Sequence, residues 1–366
     1  MNSPFALDGD SSEAKEDIAA SSYDYELPQS AIRLVPPENR DGSKMMVVPR
    51  GFRSREELSL DNVLSIHRYL QPGDLLVLND TRVIPARVYG KTASGREIEV
   101  LFLSFGSSLG STVLFLSKSP GKSATEIHFP EGIILSGIRR VEEKDCYEGS
   151  LPEGVDIIAW LERTGEMPLP PYIQKHRKAD QDDRERYQTV FSRNPGSVAA
   201  PTAGLHLSGS ILETLEKKGV EKAFVTLHVG MGTFRPLSTP FLGDHQMHEE
   251  WYCVPERTLS LLEKTRKRGG RIIGVGTTVV RTLESLAKFG KTSGQTNLFI
   301  RPGYPFAYID GLLTNFHQPR STLLVLLDAF LGGSGSWKIL YEEALSRGLS
   351  FLSYGDACLI LPDGKD

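Results

Sequence analysis

Several short polar runs, each beside an apolar one, hold the residues of this chain that could do chemistry. His228 lies in Thr226-Leu227-His228-Val229-Gly230-Met231-Gly232-Thr233, where it alternates with Leu227 and Val229 and so faces away from them. His317 sits in Thr314-Asn315-Phe316-His317-Gln318-Pro319-Arg320, and His206 closes Ala200-Pro201-Thr202-Ala203-Gly204-Leu205-His206. Imidazole titrates near neutrality, so each is a candidate acid or base, with His228 and His317 ahead of His206. The same side chains would also suit tight structural loops, and residue type alone leaves both readings open. Asn79-Asp80-Thr81-Arg82 ends the apolar run Leu75 to Leu78. An Asn-Asp pair makes turns, but ligands also bind at the C-terminal ends of strands in α/β sheets. Gly204, Gly230 and Gly232 would let a ligand approach the backbone. Thr277 and Thr278 follow Gly274-Val275-Gly276 and open a run carrying Arg281, so they either cap a helix or hold an anion at its start. Asp310 is a carboxylate for hydroxyls or a positive charge.

His245, His248 and Glu249 form a different pattern. An His-x-x-His pair can present two metal ligands on one helical face, but no third strong ligand is evident and the spacing is not His-Glu-x-x-His. No metal site is expected. The Gly-x-Gly at 230–232 lacks the third glycine of a dinucleotide-binding turn, and no phosphate-binding loop or Gly-x-Ser-x-Gly elbow is present.

The elements around these runs fall into three textures. Residues 1–22 read as a disordered acidic tail, with Asp8, Asp10, Glu13, Glu16 and Asp17 against Lys15. Residues 83–165 carry short β-rich runs separated by Gly-containing turns: ARVYGK, REIEVLFL, TVLFLS, TEIHFP, IILSGIRRV and VDIIAWLE. These predict a small β-barrel. Residues 23–82 and 166–366 alternate helix and strand. Helices are expected from Asp61 to Leu70, Ser208 to Lys218, Glu256 to Arg268, Thr277 to Phe289, Arg320 to Leu331 and Trp337 to Arg347. The strands expected between them include LLVLND, AFVTLHV, RIIGVG and a closing ACLIL, while Ser30 to Val48 reads as a connector. The fold class is therefore α/β: a layered, discontinuous main domain with an inserted small β-barrel.

Composition narrows the function. The net charge of −4 resides in residues 1–22, leaving 41 basic and 41 acidic side chains in the remaining 344 residues. Three cysteines in no close pair fit reduced thiols. The longest aliphatic run, Leu323 to Leu327, is far too short to span a bilayer, and the N-terminus has no basic start or apolar stretch. A cytoplasmic protein is expected. Its positive charge is bunched at Lys175, His176, Arg177 and Lys178 with Arg184, Arg186 and Arg193, and again at Lys264, Arg266, Lys267, Arg268 and Arg271. Either bunch is a solvated face or a set of phosphate contacts.

Together the runs resemble one family. LPQSAIRLVPPENRD at 27–41, GDLLVLNDTRVIPARVYG at 73–90, SVAAPTAGLH at 197–206, VTLHVGMGTFRP at 225–236, HQMHEEWY at 245–252, VGTTVVRTLES at 275–285 and DGLLTNFHQPRSTLL at 310–324 resemble the S-adenosylmethionine:tRNA ribosyltransferase-isomerases of queuosine biosynthesis. Gln318 stands where that family usually has an aliphatic residue, and Leu207 where it commonly has Phe. The resemblance implies an α/β domain with an inserted barrel and two substrates. One is tRNA carrying 7-aminomethyl-7-deazaguanine at the wobble position. The other is S-adenosylmethionine, consumed as a co-substrate, so that no cofactor is required. Such chemistry needs a base at the ribose 5′ carbon and benefits from an acid at the departing adenine. It implies His228, His317 and His206 as acid/base candidates and Asp80 or Asp310 for the ribose hydroxyls or the sulfonium. Arg281 is implied for a carboxylate or phosphate. Asn79, Arg82, Thr202, Gly204, Gly230, Gly232, Thr233, Thr277, Thr278 and Asn315 are implied as further substrate contacts. A monomer with no membrane association is expected.

Overall fold

The computed structural model describes residues 17–105, 112–118, 125–142, 145–230, 232 and 236–362. Its strands are, in chain order, β1 Lys44–Pro49, β2 Ser59–Asn62, β3 Leu75–Asn79, β4 Thr81–Val83, β5 Arg87–Thr92, β6 Glu97–Phe102, β7 Thr112–Ser117, β8 Glu126–His128, β9 Ile134–Val141, β10 Cys146–Ser150, β11 Asn194–Ser197, β12 Glu221–Leu227, β13 Glu250–Cys253, β14 Ile272–Val275, β15 Ser293–Thr296, β16 Gly311–Asn315 and β17 Ala357–Leu361. Nine of them make one sheet in the order β15-β13-β12-β3-β14-β16-β17-β1-β2. Strands β12, β3, β14 and β16 are mutually parallel, and antiparallel pairings flank them on both sides. The sheet is thus mixed.

Burial explains which strands sit centrally. Every residue of β3, β14, β16 and β17 is buried, as expected for strands covered on both faces. The helices Thr277–Phe289 and Gly209–Lys217 bury apolar stripes on this sheet. Gly290, at φ 64°, stops the first of them, and the Ser208 hydroxyl accepts the Ile211 N–H to start the second.

The fold departs from the sequence reading in five places. Lys44–Pro49, read as connector, is strand β1, pairing parallel with β17. The expected helix from Asp61 is a 3₁₀ helix, Val63–Arg68, capped by Asn62, while Asp61 lies in β2. VDIIAWLE is a helix, Ile157–Thr164, because Asp156 caps it and Ile157, Trp160 and Leu161 bury one helical face. The barrel takes its sixth strand instead from Cys146–Ser150, and closes as β10-β7-β6-β5-β8-β9 with every pairing antiparallel. Finally, Ala20 and Tyr23 are buried, and Ala19 pairs with Phe241, so the packed body begins inside the expected tail. Residues 1–16 lie outside the described residues.

Barrel and sheet are joined at two chain crossings. Arg87 and Glu166 exchange backbone hydrogen bonds where the chain leaves and re-enters the barrel. Gly165 is required there, since a Cβ would lie 1.7 Å from the Pro85 carbonyl oxygen. Trp160 packs its edge against Phe102 and Phe129, at centroid distances of 5.9 and 5.4 Å, plugging the barrel core.

Asn79, at the end of β3, is a clip between strands. Its Nδ2 donates to the Leu227 carbonyl at 3.0 Å, and its Oδ1 accepts the N–H groups of Leu227 and Thr81 at 3.1 and 3.2 Å. Replacement by Ala strands these buried backbone groups. Asn79→Ala is expected to cost about 2–4 kcal/mol in urea unfolding, and an unchanged midpoint would show the clip to be dispensable.

Candidate active site

Because β12, β3, β14 and β16 are parallel, their C-terminal ends fall along one edge of the sheet. That edge receives His228 after β12, Asp80 and Thr81 after β3, Gly276 to Thr278 after β14, and Asn315 with His317 at the end of β16. Most of the polar residues selected from the sequence therefore meet there. Neighbouring strands are about 4.8 Å apart, so the β12 and β16 ends are separated by roughly 14 Å. The edge holds two clusters rather than one.

The first cluster surrounds His228. Its Nδ1 lies 2.8 Å from the Thr81 hydroxyl, its ring stacks on Trp251 at 5.1 Å, and its backbone N–H donates to the Trp251 carbonyl. Gly196 faces the opposite nitrogen, where a Cβ would come within 2.5 Å of Nε2, so only glycine lets the backbone pass this close to the ring. Asp80 is buried, and its Oδ1 accepts from the Thr226 hydroxyl at 2.7 Å and from Asn194 Nδ2 at 3.0 Å. Burial lowers the His228 pKa, while the Asp80 charge opposes that shift.

The second cluster centres on Asn315. Its Nδ2 donates to the Leu352 carbonyl at 3.2 Å, which fixes the amide, and to His206 Nε2 at 3.0 Å. The Thr202 hydroxyl donates to Asn315 Oδ1 at 2.8 Å. An amide N–H₂ aimed at Nε2 requires that nitrogen unprotonated. Burial, reinforced by Arg33 and Arg40, lowers the His206 pKa to about 4. His317 is 7% exposed, its Nε2 lies 3.1 Å from the Thr314 hydroxyl, and burial lowers its pKa to about 3. Both rings are uncharged at neutral pH and poor proton carriers, which narrows the acid/base expectation toward His228. Thr202, Asn315, His317, Tyr172 and Ser353 line a cleft of about 400 Å³. Leu352, on its wall, is held at φ 71°, a strained backbone at the site itself.

Between the clusters stands the N-terminus of the helix Thr277–Phe289. Its cap is Gly276, at φ 90°, with no side-chain cap bond, and the buried Thr278 hydroxyl has no hydrogen-bond partner among the described residues. Ala203 lies against Gly276, bringing the 199–206 loop over this helix start. Gly204 is needed for packing, since a Cβ would touch the Thr189 side chain at 2.8 Å. Arg281 departs from expectation. Its guanidinium is buried, pairs with Glu250 and donates to the Leu298 carbonyl, leaving Nη2 alone without a partner. Glu250 in turn accepts the Gly230 N–H at 2.8 Å, so Arg281 positions the glycine loop through Glu250. Glu250 was missed because it was grouped with the exposed His248-Glu249; the alternation of Glu250 and Tyr252 inward against Trp251 outward was its signal. Thr81 lay unselected between chosen neighbours, and Tyr172 and Ser353 carry no local motif.

Other expectations part from this edge. Asp310 precedes β16 and so stands at the opposite end of a five-residue strand, about 16 Å away. There both of its oxygens bind Arg266, and Oδ2 also accepts the Ile272 N–H. Arg82 pairs with Glu162 across to the barrel side. Gly232 packs on His248, and Thr233 lies outside the described residues. His245 packs on the edge of Phe299, and among the described residues no three His, Cys, Asp or Glu converge to hold a metal ion. Among the bunched cations, Lys264, Arg266, Lys267, Arg268 and Arg271 are paired with Glu221, Asp310, Glu263 and Asp74.

Two outcomes follow from these charges. His206 and His317 bind fewer protons folded than unfolded between their lowered pKa values and the ordinary 6.5. Their stability contribution is complete above pH 6.5 and is lost as pH falls toward 4 and below. His206→Asn should flatten the dependence of unfolding free energy on pH between 6.5 and 4 by up to about 1.4 kcal/mol per pH unit; an unaltered slope would mean the ring is charged in the fold. Arg281→Met removes the guanidinium that pairs with the buried Glu250 carboxylate and should cost about 3–5 kcal/mol. Adding Glu250→Gln, which retains an acceptor for Gly230, should recover part of that loss in the same denaturation assay.

The chain was compared with known proteins. The family model described as queuosine biosynthesis protein matches residues 20–360. The S-adenosylmethionine:tRNA ribosyltransferase-isomerase of Gloeobacter violaceus is 44% identical over 95% of this chain and 97% of its own length. Its counterpart in Geobacter sulfurreducens is 42% identical over 94% of this chain and 100% of its own. The crystal structure of the S-adenosylmethionine tRNA ribosyltransferase of Thermotoga maritima is 34% identical, covers 93% of this chain and 100% of its own, and superposes with a TM-score of 0.53. With nearly its whole described length matched, the chain belongs to the queuosine biosynthesis protein family, whose named relatives are S-adenosylmethionine:tRNA ribosyltransferase-isomerases.

Proposed function

We propose that this enzyme moves the ribosyl part of S-adenosylmethionine onto 7-aminomethyl-7-deazaguanine at the tRNA wobble position, giving epoxyqueuosine and releasing adenine and methionine. The observation that carries this reading is the convergence of the NDT, APTAGLH, TLHVG, VGTT and TNFH runs on one strand-end edge beside a cleft lined by Thr202, Asn315 and His317 among apolar side chains. Ligands of open α/β sheets bind at such edges.

The chemistry assigns roles along it. A carbon bonded to a sulfonium is acidified, and a base must take the 5′ hydrogen of the ribose. His228 suits that role, because Thr81 occupies Nδ1, Nε2 has no hydrogen bond among the described residues, and Asp80 favours the imidazolium that forms. The uncharged His317 is assigned to a hydrogen bond with the adenosine portion, where a neutral imidazole N–H can steady the departing adenine, and the second lone pair of Asn315 Oδ1 to an adenosine donor. Thr277 and Thr278 are assigned to the methionine carboxylate, because a helix start offers N–H groups to an anion and the Thr278 hydroxyl has no hydrogen-bond partner among the described residues. The attacking group is the aminomethyl nitrogen of the modified base, so no covalent enzyme intermediate forms. No resident cofactor and no second copy of the chain are needed.

Incubation with S-adenosylmethionine labelled in the adenine ring tests this directly. Adenine should appear only with tRNA bearing 7-aminomethyl-7-deazaguanine; S-adenosylhomocysteine instead would mean methyl transfer and sink the proposal. His228→Gln should lower kcat by about 10²–10⁴-fold with tRNA affinity unchanged, and full turnover in that variant would remove His228 from the chemistry.

A further inference from the structure

Beside the reaction cleft, and sharing Ser353 with it, lies a smaller pocket of about 240 Å³ lined by Pro36, Pro37, Arg40, Arg186, Leu205 and His206. Its cations are held together in an unusual way. Arg40 donates to the carbonyls of Gln188 at 2.6 Å, Glu185 at 3.1 Å and Leu205 at 3.5 Å. Arg186 donates to the carbonyls of Glu38 and Pro37. Carbonyls orient a guanidinium without neutralising it. Burial disfavours the charge on Arg40, the nearby Arg186 adds to that effect, and Glu185 and Tyr354 oppose it. Arg33, half-buried, adds its charge to the burial that disfavours protonated His206, and makes no hydrogen bond or ion pair among the described residues. Arg177 is bracketed by the Leu34 carbonyl but is neutralised by Asp183, while Lys175 and Lys178 beside it are exposed and make no ion pair among the described residues.

We propose that Arg33, Arg40 and Arg186 form a subsite for a backbone phosphodiester of the RNA substrate, next to the nucleotide that enters the reaction cleft. This rests on the transfer reaction proposed above. Like charges gathered with no carboxylate in ion-pair contact among the described residues raise the energy of the free protein, and an anionic occupant relieves it. The forked guanidinium matches phosphate oxygens, and carbonyl brackets hold Arg40 and Arg186 in place beforehand. The other substrate does not suit this pocket, since its sulfonium and ammonium outweigh its carboxylate and give it net positive charge. A phosphodiester does, and the shared Ser353 together with the Asn315–His206 hydrogen bond places the pocket against the cleft wall. The exposed Lys175 and Lys178 continue the positive surface outward. The Lys264–Arg271 bunch is not an equivalent site, because acids pair it.

The test compares the full chain with Arg33→Gln, which breaks no described bond, and with Lys267→Gln as a control. Affinity for unmodified tRNA is measured against KCl concentration, alongside adenine release with modified tRNA. Arg33→Gln should weaken tRNA binding about tenfold and reduce the slope of log affinity against log salt by about 0.7–0.9. It should raise KM for tRNA and leave KM for S-adenosylmethionine unchanged, while Lys267→Gln changes neither affinity nor slope. An unchanged slope and affinity in Arg33→Gln overturns the subsite while leaving adenine release, and so the proposed reaction, intact. A rise in KM for S-adenosylmethionine alone also overturns it, by assigning the pocket to that substrate's carboxylate. A wild-type chain that releases no adenine overturns the reaction and the subsite with it.

Discussion

Four parallel strands with apolar side chains on both faces can carry polar side chains only where they end. Strands β3, β14 and β16, buried along their whole length, obey that constraint most closely, and β12 buries Ala223, Val225 and Leu227 beside them; the C-terminal residues or successors of the four are Asn79, Asp80, His228, Thr277 and Asn315. Parallel pairing then brings all of these ends to one edge, since each strand is entered from the same side. The barrel, the 199–206 loop and the glycine loop after β12 are arranged around that edge. The barrel is tied to it through β4, which pairs with β11, and through Arg82 and Glu162.

Side chains crowded at a buried edge must satisfy one another, and this decides their chemical states. Asn79 is consumed by backbone groups of β12 and contributes rigidity. Asn315 spends its amide on Leu352 and His206, and that donor keeps His206 unprotonated just as its burial does. Arg281 is consumed by Glu250 and orders the glycine loop at one remove. His228 differs from the other two histidines: it is only partly buried, faces a glycine, and has a carboxylate nearby to oppose the effect of burial. Of the three rings at this edge it is the least buried, and the one whose protonated form a nearby carboxylate favours.

Much of this was legible in the sequence because it depends on local pattern. The helix Thr277–Phe289 and its stop at Gly290 follow from apolar periodicity and a left-handed terminator, and the buried strands β3, β14 and β17 from their continuous apolar runs. Misreadings arose where two patterns overlap. In VDIIAWLE, apolar residues at 157, 158 and 160 suit either period, and only the Asp156 cap and the Trp160 packing decide for helix. Lys44–Pro49 was hidden because its partner, β17, lies more than 300 residues away. Asp310 looked like its neighbours in motif texture, yet its position before β16 rather than after it puts it on the far edge of the sheet. Strand direction settles that, and composition does not.

Charge shows the same dependence on partners. The 264–271 segment and the arginines at 33, 40 and 186 look alike as basic side chains in a sequence, and a charge count treats them equally. In the fold, the first group meets Asp74, Glu221 and Asp310, and its field beyond contact distance is small. Arg40 and Arg186 are held mainly by backbone carbonyls, which fix geometry at no cost in charge, so their field persists into the neighbouring pocket and acts on His206 through Arg33 and Arg40. A protein whose body is neutral in sum can therefore present a positive site beside its cleft. What decides the sign there is the kind of acceptor each guanidinium was given.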